Sequence, residues 1–375
     1  MSGFDSSGSY QFETLEKKYS SFLSPTVKID VGGFRLGSGA IPVSHVQVEM
    51  TTENRAGSCE FSLDSVYDYE TGKWSKGLLE KIDVAQPVAV ELGYAESQKR
   101  VFCGYVDCYR VEYTASGAPR LTVYALDGLG VLMADREKLD FGKKTTGDIV
   151  KEILGKCQAS GAVEKVTIAK LPVFETPLLK EKGCSSYEFL CRMAEMCFMN
   201  FCVINGELLF KNLMENGKTL LTLTIGQSLH QFSKEVSFGS STVGSVTVVS
   251  TGSEDKTELR SVAKTPSRFG ASGKTGAEKW KKLGQAPNKD IVINSLRTED
   301  ECQQLAQNIL DGMSLGFSSG HGSCIGIPEL CPGRYIEVKG LDKSANGSYF
   351  VSKVVHTFTE GGYTTEFEVK GFRSK

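Results

Sequence analysis

The run Gly316-Phe317-Ser318-Ser319-Gly320 has the GxSxG spacing of a nucleophile elbow, and His321 follows it directly. An elbow needs a strand before the serine and a helix behind it, so that the hydroxyl stands above a parallel sheet. Here the serine follows a helical stretch and sits in a Gly/Ser-rich turn, which reads as a flexible connection. A particle-associated cell-wall hydrolase or esterase using Ser318 is the alternative reading that this motif supplies.

Other reactive residue types are arranged for structure. Glu299, Asp300 and Glu301 occupy the first turn of a predicted helix, where negative charge favours the helix dipole. His45, His230, His321 and His356 are scattered singly, and the 11 cysteines include no CxxC pair, so a closed zinc site has no ligand spacing. His356 lies mid-strand beside apolar neighbours, as a packed core or interface histidine does. Cys184, Cys191, Cys197 and Cys202 fall within one apolar stretch and read as reduced, small hydrophobes. Gly128-Leu129-Gly130 lacks the third glycine and the βαβ context of a nucleotide fingerprint, and no GxxxxGK[ST] loop occurs. Lys279-Trp280-Lys281-Lys282 sets an aromatic among cations without a recognised nucleic-acid motif. The expectation is therefore no catalytic residue, no cofactor, no metal ligand and no small-molecule substrate.

The chain that must position these residues has 375 of them, too many for one core of about 100–200 residues, so two or three packed units are expected. Hydrophobic residues at 40% and charged residues at 23% are ordinary globular usage, and a net charge of -2 gives no global reason to bind nucleic acid or an anionic membrane. No apolar run reaches membrane-spanning length, and Met1–Asp5 lacks the blocks of a secretory signal, so synthesis in the cytoplasm is expected.

Phe12, Leu15, Tyr19 and Phe22 recur at helical spacing before Pro25, predicting an N-terminal docking helix within residues 1–25. From Thr26 the period changes to two. Val27/Ile29/Val31, Val46/Val48/Met50 and Cys59/Phe61/Leu63 predict half-buried antiparallel strands, continued by 88–92, 100–114 and a returning strand after a turn at Ser116-Gly117. This first tube-like β unit spans residues 26–135. Residues 136–215 differ: Thr145xxAsp148 and Ser185xxGlu188 start helices, and strands 200–204 and 207–211 flank a tight Asn205-Gly206 turn. The second β unit covers residues 216–375, with a polar insertion at about 252–290. That insertion holds nine basic and five acidic residues without a sustained period, and is expected to be a solvated loop, the alternative being a segment that orders on a partner. Thr298xxGlu301 then starts another helix.

Pro87–Gly128 and Pro332–Gly371 share one order: proline, short strand, glycine break, long strand, Gly-containing turn, returning strand. From proline to return strand is 34 residues in the first copy and 32 in the second. The fold class expected is mainly β (α+β overall), with two tube-like antiparallel β-barrel domains and a small α+β insert between them.

Three stretches carry a family resemblance. They are the C-terminal run Gly326-Ile327-Pro328, Pro332-Gly333, Gly347–Val351, Val354-Val355-His356 and Tyr363–Phe367; Ser185–Leu190 with Asn205–Leu208; and Phe102–Val106 with Leu121–Asp127. The order is collinear over roughly Thr26–Phe372. The chain resembles the tail-hub proteins of contractile phages and phage-like particles, of the late control D type, related to the hub portion of VgrG proteins. The resemblance implies a non-enzymatic homotrimer that joins a hexameric tail tube to a trimeric spike and meets other baseplate proteins. It would assemble in the bacterial cytoplasm, become part of a phage tail or extracellular contractile particle, and touch a membrane only through that particle. VgrG-type chains continue into a spike whereas this sequence stops at Lys375, so a separate spike protein is expected.

Overall fold

Alternating apolar residues turn directly into one large sheet. The computed structural model describes every residue except 1–3, 6, 38–40, 65, 116, 143, 172–178, 216, 239–242, 252–257, 267–272, 294–295, 297, 372 and 375. Thirteen strands join in this sheet, eleven along one path in the order Leu229–Val236, Ser318–Ile325, Gly362–Gly371, Gly347–Thr359, His45–Thr51, Ser58–Leu63, Gly117–Leu126, Ser97–Thr114, Pro87–Tyr94, Pro25–Val31 and Phe34–Gly37. Tyr335–Lys339 pairs antiparallel with Gly347–Thr359 and parallel with Thr219–Thr224. The chain is mainly β, as the alternation predicts.

The expected pair of barrels is drawn differently. No closed barrel forms among the described residues, and both β units belong to one continuous sheet. The physical reason lies in Gly347–Thr359. Its first part pairs with Tyr335–Lys339, placing Phe350 opposite Tyr335. Its second part pairs on that flank with His45–Thr51, placing Val354 opposite Met50 and His356 opposite Val48. A register shift against Gly362–Gly371 between Val351 and Lys353 marks the change, and such a bulge bends a strand enough to serve two neighbours. The Ser352 carbonyl accepts the Thr52 amide at 2.9 Å there, so the bend keeps its backbone acceptor satisfied.

The two similar segments have the same local topology. Pro87–Tyr94, Ser97–Thr114 and Gly117–Leu126 form an antiparallel meander, with a shift in the long strand between Val106 and Cys108. Tyr335–Lys339, Gly347–Thr359 and Gly362–Gly371 form another. The connecting turn of the first includes Gly117, whereas Ser116 lies outside the described residues.

A second apolar core lies in the middle segment. Helix Thr146–Ala159 is capped by Thr145, and helix Ser186–Cys197 by a Ser185/Glu188 capping box. Ile149, Ile153 and Leu154 of the first helix share this core with Phe189 and Met193 of the second and with Phe201 and Phe210. Strands Lys165–Ile168, Glu207–Lys211 and Asn200–Ile204 complete it. Asn205 and Gly206 turn between the last two strands with φ of 50° and 81°, the left-handed pair that a two-residue hairpin requires.

The polar insertion also departs from expectation. Its stretches 252–257 and 267–272 lie outside the described residues, but Glu258–Ala263 and Asn288–Val292 are strands flanking Ser245–Thr251. Helix Glu299–Ser314 covers this small sheet, and Val246, Val248, Ala263, Cys302, Leu305 and Ile309 form a third core. Its edge strands expose most of their side chains, so their sequence carries almost no alternation.

At the N-terminus the helix is Phe12–Lys18, shorter than the apolar spacing predicts. Tyr19 and Phe22 are nevertheless buried, because the chain turns sharply after the helix.

Candidate functional site

On Gly362–Gly371, Tyr363, Thr365, Phe367 and Val369 are buried while Thr364, Glu366 and Glu368 face solvent. The ladders extend this division across the join between the β units, since Glu366 stands opposite Val355, and Val355 opposite Glu49. Glu49 belongs to His45–Thr51 and so carries the solvent face into the first unit. Two ion pairs bridge the join on this side, Lys353–Glu49 at 2.9 Å and Lys370–Glu53 at 2.6 Å. Exposed pairs of this kind add at most about 1 kcal/mol each, so they set register more than they hold the units together. The Lys370 ammonium holds Glu53 below the usual carboxylate range against the opposing effect of burial. Beyond the join lies a shallow groove lined by Gln47, Glu60, Asp107, Cys108 and Tyr124. The result is a continuous polar sheet face shared by two β units, suited to contact over a large area and without a closed chemical pocket.

Beneath the join, the buried face carries a cluster of polar side chains. Tyr94 donates its hydroxyl to the Gly326 carbonyl at 2.9 Å. His356 is fully buried, with Nε2 3.1 Å from the Leu330 carbonyl and Nδ1 3.1 Å from Thr365 Oγ1. A carbonyl can only accept, so Nε2 carries the ring proton. Burial pushes the imidazole pKa down to about 3, and a neutral ring does not act as an acid near neutrality. The residue is a core histidine, as its apolar neighbours indicated.

Ser318 does not form an elbow. The order is helix Glu299–Ser314, then Ser318 at the first position of strand Ser318–Ile325, the reverse of strand, nucleophile and helix. It is a strand residue and not a flexible connection. Its hydroxyl is buried without a hydrogen-bond partner among the described residues, and His321 is exposed three residues along the same strand, on the opposite face. The two side chains therefore cannot meet.

Glu299–Glu301 do occupy the first helical turn, capped by Thr298. Gly128 and Gly130 are packing glycines, since a Cβ on Gly128 would come 2.4 Å from Val163 and one on Gly130 2.3 Å from the Tyr105 hydroxyl. Asp127 caps the short helix Gly128–Ala134 by accepting from the Leu129 amide, so a carboxylate side chain stands at its N-terminus. Trp280 packs edge-on against Phe238 at 5.0 Å, so its ring serves packing. The eleven cysteines are all free, and among the described residues no group of three or more His, Cys, Asp or Glu side chains is placed to hold a metal ion. No helix among the described residues is long and apolar enough to cross a membrane.

The architecture is that of phage tail proteins and of related secretion-system components. The 43 kDa tail protein of prophage MuSo2 from Shewanella oneidensis is similar at 15% identity and a TM-score of 0.64, covering 92% of this chain and 98% of that one. The tail protein from Neisseria meningitidis MC58 is similar at 14% identity and a TM-score of 0.62, covering 93% and 97%. The E. coli c3393 protein, a type VI secretion system component with structural similarity to T4 tail proteins gp27 and gp5, is similar at 13% identity and a TM-score of 0.51, covering 91% and 76%. By sequence, residues 23–360 match the family model described as the Alg8 N-terminal domain, and the chain belongs to that family. A search of curated proteins gave no match.

Proposed function

We propose that this protein is the structural hub of a contractile tail or tail-like injection particle, a non-enzymatic homotrimer joining a hexameric tail tube to a trimeric spike. The supporting observation is the tail-protein fold over more than nine-tenths of the chain, joined to a polar sheet face that runs unbroken through two similar β units. Three copies present six such units in a ring, which meets a six-fold partner on one side and a three-fold partner on the other. In this reading residues 26–135 and 216–375 are the two tube-like units, which complete their barrels only in the ring. Residues 136–215 form the middle domain and residues 1–25 dock on the body. Burial of open strand edges against neighbouring copies would drive assembly and remove an aggregation hazard. The protein would assemble in the bacterial cytoplasm and end in the tail, with the tube protein, the spike and other baseplate proteins as partners.

The test is the mass of the purified protein by light scattering, alone and after addition of the spike protein. A trimer under either condition is expected, and a strictly monomeric species under both removes the proposal.

A further inference from the structure

The N-terminal arm is held by features that do not suit a permanent part of the core. Between helix Phe12–Lys18 and strand Pro25–Val31, Ser20, Ser21 and Phe22 take φ of 49°, 56° and 58°. Three successive residues with a Cβ in the left-handed region are strained, because each brings its Cβ close to backbone oxygen. The arm also covers two charged side chains that are each about 1% exposed, Glu329 and Arg334. Lys18 reaches Glu329 at 2.7 Å and the Tyr19 hydroxyl donates to it at 2.8 Å, while Arg334 donates to the Asp5 and Gly8 carbonyls. Glu329 Oε2 and Arg334 Nε remain buried without a partner among the described residues. Water would satisfy both atoms if the arm lifted.

The same arm ties separate parts of the molecule. The Phe4 amide donates to Glu207 of the middle segment at 3.0 Å, and the Tyr10 amide to the Leu220 carbonyl of the second β unit at 2.7 Å. Phe22 packs edge-on against Tyr94 of the first β unit at 5.1 Å. Burial of Leu15, Tyr19 and Phe22 keeps the arm closed. The polar fastenings to Glu329 and Arg334 hold it as well, while the two unpartnered buried atoms and the strained hinge oppose closure.

We propose that the arm, residues 4–5 and 7–23, forms a releasable clasp, which opens as a unit about Ser20–Phe22 while the large sheet stays folded. Opening uncovers the loop from Gly326 to Arg334 and frees the β units and the middle segment from their common tether. The clasp stands independently of the hub reading, since it rests on the arm's own geometry.

Native-state hydrogen exchange on the full chain, read by mass spectrometry, tests it. Peptides from the arm, 12–23, are compared with the central strand, 349–358. The arm should exchange at least about tenfold faster than the strand under native conditions, as sub-global opening requires. Glu329→Gln removes the charge that holds Lys18 and should speed arm exchange by about threefold, with the strand unchanged. Ser21→Asn places a residue tolerant of the left-handed region at the hinge and should slow it by about threefold. Equal rates for arm and strand overturn the clasp. An arm rate unchanged by Glu329→Gln overturns the tether, and one unchanged by Ser21→Asn overturns the strained hinge; either removes the proposal.

Discussion

The Tyr363 hydroxyl lies 2.8 Å from Nδ1 of His356, and the two rings are held in a fully buried site where the β units share a strand. With Nε2 donating to the Leu330 carbonyl, Nδ1 is the acceptor and the tyrosine the donor. Burial raises the Tyr363 pKa well above its ordinary value, so the phenol keeps the proton it donates. The buried face beside the join is thus held by directional bonds as well as by apolar packing, and its protonation state has consequences for stability.

Stability should fall in acid through His356. The unfolded chain binds a proton at this ring below its ordinary pKa of 6.5, whereas the folded ring resists protonation until about pH 3. The contribution is present above pH 6.5 and is lost as pH falls from there towards 3, at up to about 1.4 kcal/mol per pH unit. Urea unfolding between pH 6.5 and 4.5 reads this slope, and His356→Gln should reduce it by nearly one proton.

Asp127 should act with the opposite sign. Burial raises its carboxyl to about 7, even though the Gly57 amide at 2.6 Å and the Leu129 amide at 2.9 Å donate to it. Its contribution is present below the ordinary value of 3.8 and is lost as pH rises from there towards 7. Asp127→Asn should remove that loss in the same urea series while costing about 1–2 kcal/mol, because one amide oxygen replaces two acceptors. Over pH 4.5–6.5 the two single variants should therefore tilt the profile in opposite directions.

Two glycines should answer differently to alanine. A Cβ on Gly326 would lie 2.3 Å from the Tyr363 ring, which is pinned by His356 and cannot retreat, so Gly326→Ala should destabilise by about 2–3 kcal/mol. Gly155 sits exposed within helix Thr146–Ala159 with nothing within 4 Å of an added Cβ, so Gly155→Ala should stabilise by about 0.5–1 kcal/mol. Chemical denaturation midpoints of the two variants check both signs.

The sequence makes visible what short-range chemistry dictates. The caps at Thr145, Ser185 and Thr298 and the Asn205-Gly206 turn are local devices, and they stand where the spacing puts them. Strand alternation is local as well. By contrast, the pairing of Val354 with Met50 joins residues about 300 positions apart and leaves no mark on either segment, so one shared sheet looked like two barrels. Glu329 and Arg334 carry no local sign of burial, since their bonds to Lys18, Tyr19, Asp5 and Gly8 join residues more than 300 positions apart. The left-handed run at Ser20–Phe22 contains no glycine or asparagine to announce it. In the insertion, Glu258–Ala263 and Asn288–Val292 are edge strands with few buried side chains, and burial is what generates alternation.

Ser318 gives the sharpest separation between a catalytic and a structural role. Its hydroxyl is buried and has no partner among the described residues, so the folded state bears a desolvation cost of about 1–3 kcal/mol that alanine does not have. Alanine removes one hydroxyl oxygen and keeps the Cβ, so the volume lost is small. Ser318→Ala should therefore leave stability unchanged or raise it by up to about 1 kcal/mol in urea unfolding. A nucleophile would behave in the opposite way, since removal of its hydroxyl abolishes turnover on ester or peptidoglycan substrates. Activity in the parent chain that disappears in the variant would restore the hydrolase alternative, and would require the strand Ser318–Ile325 to open far enough to expose a side chain that the folded sheet encloses.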